Sequence, residues 1–163
     1  MKGWFASTVS NYNSFVKYLL EGDIEAMNYY MNNIALETFC LFDVAEKPSE
    51  YLDPERFYHG FVLGLMVDRR EDYVIKSNRE SGFGRYDVVM IPKNKANPKT
   101  PAIVIEFKVQ NKNKEPKLED SVNSALQQIQ NKNYDADLIQ DGVNPDWIRH
   151  YGFAFSGQTV LIG

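Results

Sequence analysis

The stretch Ile103-Val104-Ile105-Glu106-Phe107-Lys108-Val109 places two charged residues inside an otherwise continuous apolar run. Unbroken apolar runs of this length are typical of strands that are covered on both faces of a sheet. Because strand side chains alternate, Glu106 and Lys108 share one face and Phe107 takes the other. Burying two charged groups is costly unless they are paired or bound to a metal. The run therefore predicts a central strand with a functional charged pair, and an ordinary Glu–Lys pair on an edge strand is the alternative.

An aspartate one strand upstream extends this charged set. Residues 85–91 predict a strand closed by Pro92, and a basic loop, 93–100, separates it from the Glu106 strand. A hairpin register with Asp87 opposite Glu106 brings the two carboxylates to about 5 Å, where they repel unless a cation lies between them. Hard oxygen ligands suit Mg²⁺ or Mn²⁺. The set predicts metal-assisted hydrolysis of a phosphate ester, with Lys108 orienting the attacking water or stabilising the developing anion.

The rest of the chain predicts helices on both sides of this hairpin. The predicted helices are a segment containing Phe15–Leu20 and ended by Gly22, a segment capped by Asp23 that runs to Phe39, one opened by Asp53-Pro54, and one over about 118–133. The central strand is predicted over 102–109, and the other predicted strands are 73–78, 151–155 and 159–162. This order predicts an α/β (α+β) domain with a mixed central β-sheet flanked by helices.

Composition excludes several classes of protein. The chain has 163 residues, of which 44% are hydrophobic and 25% are charged. This is the size and composition of one globular domain. Cys40 is the single cysteine, so an intramolecular disulfide and a cysteine-based zinc site are excluded. The longest apolar run, 61–67, is far shorter than the roughly 20 residues that span a bilayer. We therefore expect a cytoplasmic protein with no membrane association.

Charge is unevenly distributed along the chain. The formal net charge of −4 by itself argues against a basic nucleic-acid binder. Residues 1–55, however, hold three Lys/Arg against nine Asp/Glu, and residues 69–132 hold thirteen Lys/Arg against eight Asp/Glu. The negative net charge of the whole chain therefore includes a basic central segment, which carries Asp87, Glu106 and Lys108. The net charge does not exclude a nuclease.

The charged set resembles the PD-(D/E)XK nuclease superfamily, whose core runs helix, three strands, helix, strand. More closely, residues 58–163 look like the PD-(D/E)XK domain that follows an AAA-type ATPase-like module in many bacterial and archaeal proteins. The matching segments are 58–61 (YHGF), 77–80 (SNRE), 82–87 (GFGRYD), 106–108 (EFK), 125–129 (ALQQI), Tyr134 and 152–155 (GFAF). The resemblance covers about two-thirds of the chain, and its ordered set is more specific than any single motif.

The resemblance implies a restriction-endonuclease-like core and a metal-dependent site. Asp87 and Glu106 would be ligands of Mg²⁺ (or Mn²⁺), the backbone carbonyl of Phe107 a further ligand, and Lys108 the catalytic lysine. Gln128, on the helix after the lysine strand, would join the catalytic set. Tyr86 stands where the motif name has proline, a change that the superfamily tolerates.

Further residues follow from the same resemblance. Gln130 and Tyr134, spaced i and i+4, correspond to a Gln and a Tyr that RecB-type nucleases carry after the lysine strand. Arg79 and Arg85 could hold phosphates, although Arg85 could instead pair with Glu80 across the glycine turn. In the first helix, Glu55 is the best candidate for an additional metal ligand. His59 lies one turn further on, where a structural role is the alternative.

The predicted organisation is an N-terminal helical extension, 1–52, that packs on a nuclease-like domain, 53–163. Residues 1–55 contain no G-x-x-x-x-G-K-[ST] loop, and they look like the helical tail that joins an AAA-type ATPase module to such a domain. The expected partners are nucleic acid, with DNA as the leading substrate, and an AAA-type ATPase. The tyrosines of residues 1–60 also leave a homo-oligomeric interface open.

Two other functions remain open at the level of sequence. One is a catalytically silent module of the nuclease fold that binds nucleic acid or a protein partner. The other is a structural interaction domain whose helical N-terminus docks on an ATPase. No base-reading element is recognisable, so specificity would come from nucleic-acid shape, from ends or from a partner.

Overall fold

The computed structural model describes residues 14–42, 64, 68–80, 85–156 and 159–163, and within these the side chains of 34–42, 79–80 and 85–86 are not considered. The helices described are α1 (14–21), α2 (Ile24–Phe42), α3 (Leu118–Lys132) and α4 (Tyr134–Gln140). The strands described are β1 (Tyr73–Glu80), β2 (Arg85–Pro92), β3 (Ala102–Val109), β4 (Ile148–Ser156) and β5 (Thr159–Ile162).

The five strands form one mixed sheet in the order β1-β2-β3-β4-β5. All neighbouring pairs are antiparallel except β3 and β4, which are parallel. Parallel neighbours need a crossover, and here it consists of α3, α4 and a short 3₁₀ turn, Pro145–Trp147. The mixed sheet with flanking helices confirms the predicted α+β class and its restriction-endonuclease-like core.

The N-terminal helices cover one face of the sheet. Gly22, at φ 78°, ends α1, and the Asp23 carboxylate caps α2 by accepting the Ala26 N–H at 3.1 Å. The buried residues on this face are Phe15, Val16, Leu19, Met27 and Met31 from the helices, and Tyr73, Val88, Met90, Ile103, Ile105, Phe107, Tyr151, Phe153, Phe155, Val160 and Ile162 from the sheet. The described part of the N-terminal segment thus shares one hydrophobic core with the sheet.

The exposed edge of β5 is closed by a side chain of α2. The Asn28 amide accepts the Ile162 N–H at 2.7 Å and donates to the Ile162 carbonyl at 2.8 Å. An edge strand otherwise presents unpaired backbone groups that invite pairing with another chain. Asn28 therefore ties α2 to the sheet and satisfies both backbone groups of Ile162.

The helix α3 covers the opposite face. The Asp120 carboxylate accepts the Lys117 N–H at 3.0 Å at its first turn, and Val122, Ala125 and Ile129 form its buried stripe. Gly152 of β4 allows the close approach, because a Cβ at this position would lie 2.8 Å from the Val122 carbonyl oxygen. A glycine beside Glu106 thus lets the helix pack directly over the charged part of β3.

Most of the predicted elements within the described residues are confirmed, and the main difference lies at the end of α3. Asn133 adopts a left-handed conformation, with φ 54°, so α3 ends and a short unpredicted helix, α4, begins. The helix predicted at Asp53-Pro54 and the boundary between 52 and 53 lie outside the described residues. Among the described residues, every helix is too short or too polar to span a bilayer.

Candidate active site

The hairpin of β2 and β3 brings the predicted carboxylates together. Asp87 pairs with Glu106 in the antiparallel register, which confirms the register predicted from the sequence. Both side chains are buried, with 2% and 1% exposure. They project from the sheet face that α3 covers. Glu106 shares this face with Val104, whereas Phe107 lies on the opposite face. Two carboxylates on a dry, central part of the sheet need positive charge close by.

That positive charge comes from the last turn of α3. The ammonium of Lys132 lies 3.0 Å from Asp87 Oδ2 and 3.6 Å from Glu106 Oε2. The hydroxyl of Tyr134 donates to the same Asp87 oxygen at 2.5 Å. Burial, together with the hydrogen bond to Asp87, raises the pKa of Tyr134 above its ordinary value, so it remains a hydrogen-bond donor at neutral pH. The two carboxylates therefore converge on one cationic position.

Lys108 lies two residues beyond Glu106 on the same face and has its own partners. Its ammonium forms an ion pair with Glu115 and donates to Ser124 Oγ at 2.6 Å. Glu115 also accepts from Ser121 Oγ at 2.6 Å and from the Asn111 N–H at 3.3 Å. Burial alone would raise the pKa of Glu115, but these hydrogen bonds and the charge of Lys108 outweigh it and lower the pKa. Lys108 is thus held in place by an ionised carboxylate.

A polar stripe of α3 connects the two halves of the site. Ser124, Gln128 and Lys132 are spaced by four residues, so they lie on one side of the helix. The first contacts Lys108 and the last contacts Asp87. Gln128, half-buried, therefore lies between the lysine end and the carboxylate end of the site. This position is compatible with the role expected for Gln128.

The remaining predicted residues are distributed differently. Gln130 is exposed and lies about 200° around α3 from Gln128, so it faces away from the carboxylates. Because Asn133 ends α3, Gln130 and Tyr134 are not one turn apart on a single helix, which corrects the spacing argument. Tyr134 nevertheless reaches the site through Asp87.

Five further residues were predicted to contribute to the site, and the structure tests none of these roles. Arg79 and Arg85 lie in β1 and β2, and Arg85 pairs with Lys108 in the register, but their side chains are not described. Glu55 and His59 lie outside the described residues. The Phe107 side chain is buried on the opposite face, and a role for its carbonyl stays a prediction.

Comparison with known proteins gives one family match. The family model of the PD-(D/E)XK nuclease superfamily matches residues 53–163, which is more than half of the chain. The chain belongs to this superfamily. Searches of curated proteins and of solved structures gave no match. The expected association with an AAA-type ATPase module therefore stays a prediction.

Members of the PD-(D/E)XK superfamily usually use Mg²⁺ or Mn²⁺, and the donor set in this chain fits such an ion. Magnesium is commonly bound by one or two carboxylates while it keeps several waters. Asp87 and Glu106 are two opposed carboxylates whose oxygens already face a single cation, the Lys132 ammonium. In the described part of the chain no group of three or more His, Cys, Asp or Glu side chains is placed to hold a metal. Asp87 and Glu106 are therefore the residues that would hold it.

Sequence reasoning missed Glu115 and Lys132. Glu115 is the single acid between Lys108 and Lys117, in a loop otherwise rich in Lys and Asn. An isolated carboxylate so close to Lys108 in the chain could have indicated an ion pair with it. Lys132 follows Gln128 by four residues, and extending the helical spacing would have placed it on the site side of α3. What the spacing could not show is which strand residue each of them contacts.

Proposed function

We propose that this chain is a metal-dependent nuclease that hydrolyses phosphodiester bonds of nucleic acid, with DNA as the substrate. The observation that carries the proposal is the buried pair Asp87 and Glu106, opposed across two strands, with Lys108 on the same face. Membership of the PD-(D/E)XK superfamily supports the reaction class. A bound divalent ion would lower the pKa of its water and neutralise charge on the phosphoryl oxygens.

The proposed roles of the side chains follow from their contacts or, for Gln128, from its position on α3. Asp87 and Glu106 would hold the ion. Lys108 donates hydrogen bonds to the attacking water or to the non-bridging oxygen that gains charge in the transition state. Glu115 and Ser124 act as positioning residues, because they restrict the Lys108 ammonium to one side of the site. Gln128 contacts the sugar–phosphate backbone next to the scissile bond.

The surroundings of the site supply further proposed contacts with nucleic acid. The backbone of Arg85 lies at the Lys108 end of the hairpin, which makes its side chain a candidate for an adjacent phosphate. We assign the same role to Arg79. Gln130 and Tyr134, on either side of the junction between α3 and α4, remain candidates. The Phe107 carbonyl and Glu55 remain candidate additional ligands of the ion.

The proposal is tested by cleavage of labelled DNA and RNA in the presence of Mg²⁺ or Mn²⁺. We expect Glu106→Gln, Asp87→Asn and Lys108→Met each to reduce cleavage by about a thousandfold, since each removes part of the charge stabilisation. The charge-matched controls are the exposed Glu119→Gln and Lys112→Met, which should retain cleavage within twofold. Equal activity of Glu106→Gln and Glu119→Gln would contradict the proposal.

A second candidate function is a catalytically silent module that binds nucleic acid or a protein partner. The observation that favours it is the mutual compensation of the charges, since Lys132 contacts both carboxylates and Lys108 is paired with Glu115. Calorimetric titration with Mn²⁺ and a plasmid-nicking assay separate the two functions. Binding of Mn²⁺ or DNA without nicking by the wild type would favour the silent module.

The wider setting is also a proposal. An acidic N-terminal segment and a basic middle are compatible with a protein partner on one side and nucleic acid on the other. We propose that residues 1–52 are an extension through which the cytoplasmic protein joins an AAA-type ATPase or a second copy of itself. Size-exclusion chromatography with light scattering, with and without residues 1–13, measures the homo-oligomeric part of this proposal.

A further inference from the structure

A second basic site lies away from Asp87 and Glu106. An open pocket of about 700 Å³ is lined by four cations, which are Lys17, Arg69, Lys99 and Arg149. They come from four separate parts of the chain: α1, the helical residues 68–69 before β1, the loop between β2 and β3, and the start of β4. Glu21 is the one carboxylate in the lining. Cations that converge from distant segments concentrate positive potential in one concave place.

The charge of this pocket is largely uncompensated. Arg69 has a carboxylate next to it, since its Nε lies 3.4 Å from Asp68 Oδ2. For Lys17, Lys99 and Arg149 no carboxylate lies within ion-pair distance among the residues that the structure describes. These three side chains are exposed, so water screens part of their repulsion, and a bound anion would offset the rest. The pocket therefore has the electrostatics of an anion site.

The backbone around the pocket is held by its own hydrogen bonds. The Lys99 N–H donates to Asn97 Oδ1 at 3.0 Å, so the loop approaches the pocket in a defined turn. Arg149 lies against Gly22, where a Cβ would come within 2.5 Å of its guanidinium. Two residues further along β4, the Tyr151 hydroxyl donates to the Leu19 carbonyl of α1 at 2.7 Å. The cations are thus presented by ordered segments.

The pocket and the carboxylate site are on different faces of the sheet. Arg149 pairs with Ile103 and shares the face of Tyr151, which α1 and α2 cover. Glu106 faces α3 instead, and it lies three residues, about 10 Å, further along β3. A phosphate bound by Arg149 is therefore not the phosphate that faces Asp87 and Glu106.

We infer that this pocket binds a ligand with at least two adjacent phosphate groups, independently of the carboxylate site. Two guanidinium groups match phosphate oxygens in a bidentate manner, and the two ammonium groups add charge without directional demands. A volume of several hundred Å³ suits a ligand of nucleotide size. The same chemistry is available from a free nucleoside diphosphate and from consecutive phosphates of a nucleic-acid strand.

The inference is tested by calorimetric titration with inorganic pyrophosphate in EDTA, where no divalent ion can contribute. We expect the wild type to bind, and Arg69→Gln and Lys99→Gln each to weaken binding by about tenfold, since each removes a charge-assisted hydrogen bond. The matched controls are the sequence neighbour Arg70→Gln and, on the same loop, Lys93→Gln, both expected within twofold of the wild type. Absence of binding by the wild type, or an equal loss in Arg70→Gln and Arg69→Gln, would overturn the inference.

Two further arms separate the ligand source from the proposed function. ADP and a short single-stranded DNA are each tested for displacement of pyrophosphate: displacement by ADP alone assigns a free nucleotide, and displacement by DNA assigns the backbone. Displacement by neither overturns the assignment to nucleotide phosphates. The double variant Asp87→Asn/Glu106→Gln should still bind pyrophosphate, so loss of cleavage and loss of this site are distinguishable.

Discussion

The two faces of β3 differ in the kind of neighbour that each residue meets. On the face covered by α1 and α2, Phe107 packs among aromatic rings, with centroids 5.0 Å from Phe153 and 6.0 Å from Phe155. On the face covered by α3, Glu106 and Lys108 are surrounded by charged and hydroxyl groups. Adjacent side chains of one strand thus pack into the hydrophobic core on one face and into the polar site on the other.

The difference shows how a central strand can carry charges. The apolar face gains stability from area removed from water, at roughly 25 cal/mol per Å². The polar face instead depends on compensation by Glu115, Ser124 and Lys132, which all follow β3 in the chain. The apolar face therefore tolerates substitutions that conserve side-chain volume. The stability of the charges on the polar face instead depends on the position of α3.

The largest expected effect on stability comes from the apolar face. Phe107→Ala should lower the free energy of unfolding by about 3–5 kcal/mol, since it leaves a cavity among aromatic rings. Urea denaturation measures the change. Val109→Ala, on the same face but 42% exposed, is the control and should cost less than about 1 kcal/mol. Similar losses in both variants would mean that the aromatic cluster is not the core of this face.

The polar face can be broken at the ion pair of Lys108 and Glu115. Each of Lys108→Met and Glu115→Gln should lower the free energy of unfolding by about 2–3 kcal/mol, because each leaves a largely buried charge without its main partner. The double variant should lose less than the sum, with a coupling of about 1–2 kcal/mol. Lys114→Met, one residue from Glu115, is the exposed control. Additive losses would contradict a direct interaction.

The cation between the carboxylates gives a prediction of intermediate size. Lys132→Met should lower the stability of the metal-free protein by about 1–2 kcal/mol, because Asp87 and Glu106 then repel each other with less compensation. The same variant should gain more stability than the wild type from added Mg²⁺, since the ion no longer competes with an ammonium. Thermal denaturation with and without Mg²⁺ measures both effects. Equal gains in Lys132→Met, wild type and the exposed control Lys112→Met would exclude this competition.

The pH dependence of stability is the smallest effect and concerns Glu115. Its pKa in the folded protein is below the ordinary value of 4.5, so the ionised carboxylate stabilises the fold. This contribution is complete above the pKa of the unfolded chain and is lost as the pH falls through the lower, folded pKa. We expect the stability difference between wild type and Glu115→Gln to shrink as the pH falls below the ordinary pKa of 4.5. Denaturation at stepped pH tests this, and the same profile for exposed Glu119→Gln would contradict it.

Much of the fold could be predicted because its signals are local. The bounds of β3 and β5, the end of α1 at Gly22 and the cap of α2 at Asp23 all followed from alternation, glycine and capping chemistry. The short helix α4 could not be predicted in this way. Its start depends on the left-handed conformation of Asn133, a residue that the periodicity of α3 had included in the helix.

The candidate site divides in the same manner. Alternation along β3 and hairpin pairing with β2 are properties of strand geometry, so the sequence alone determined that Asp87 and Glu106 oppose each other and that Lys108 shares their face. Only the tertiary structure decided that Lys132 faces the two carboxylates and that Glu115 holds Lys108. The reason is physical. The direction of side chains along a strand repeats every two residues, so it can be read from the sequence. The contact of Lys132 with Asp87, 45 positions away in the chain, depends instead on how α3 packs over Gly152.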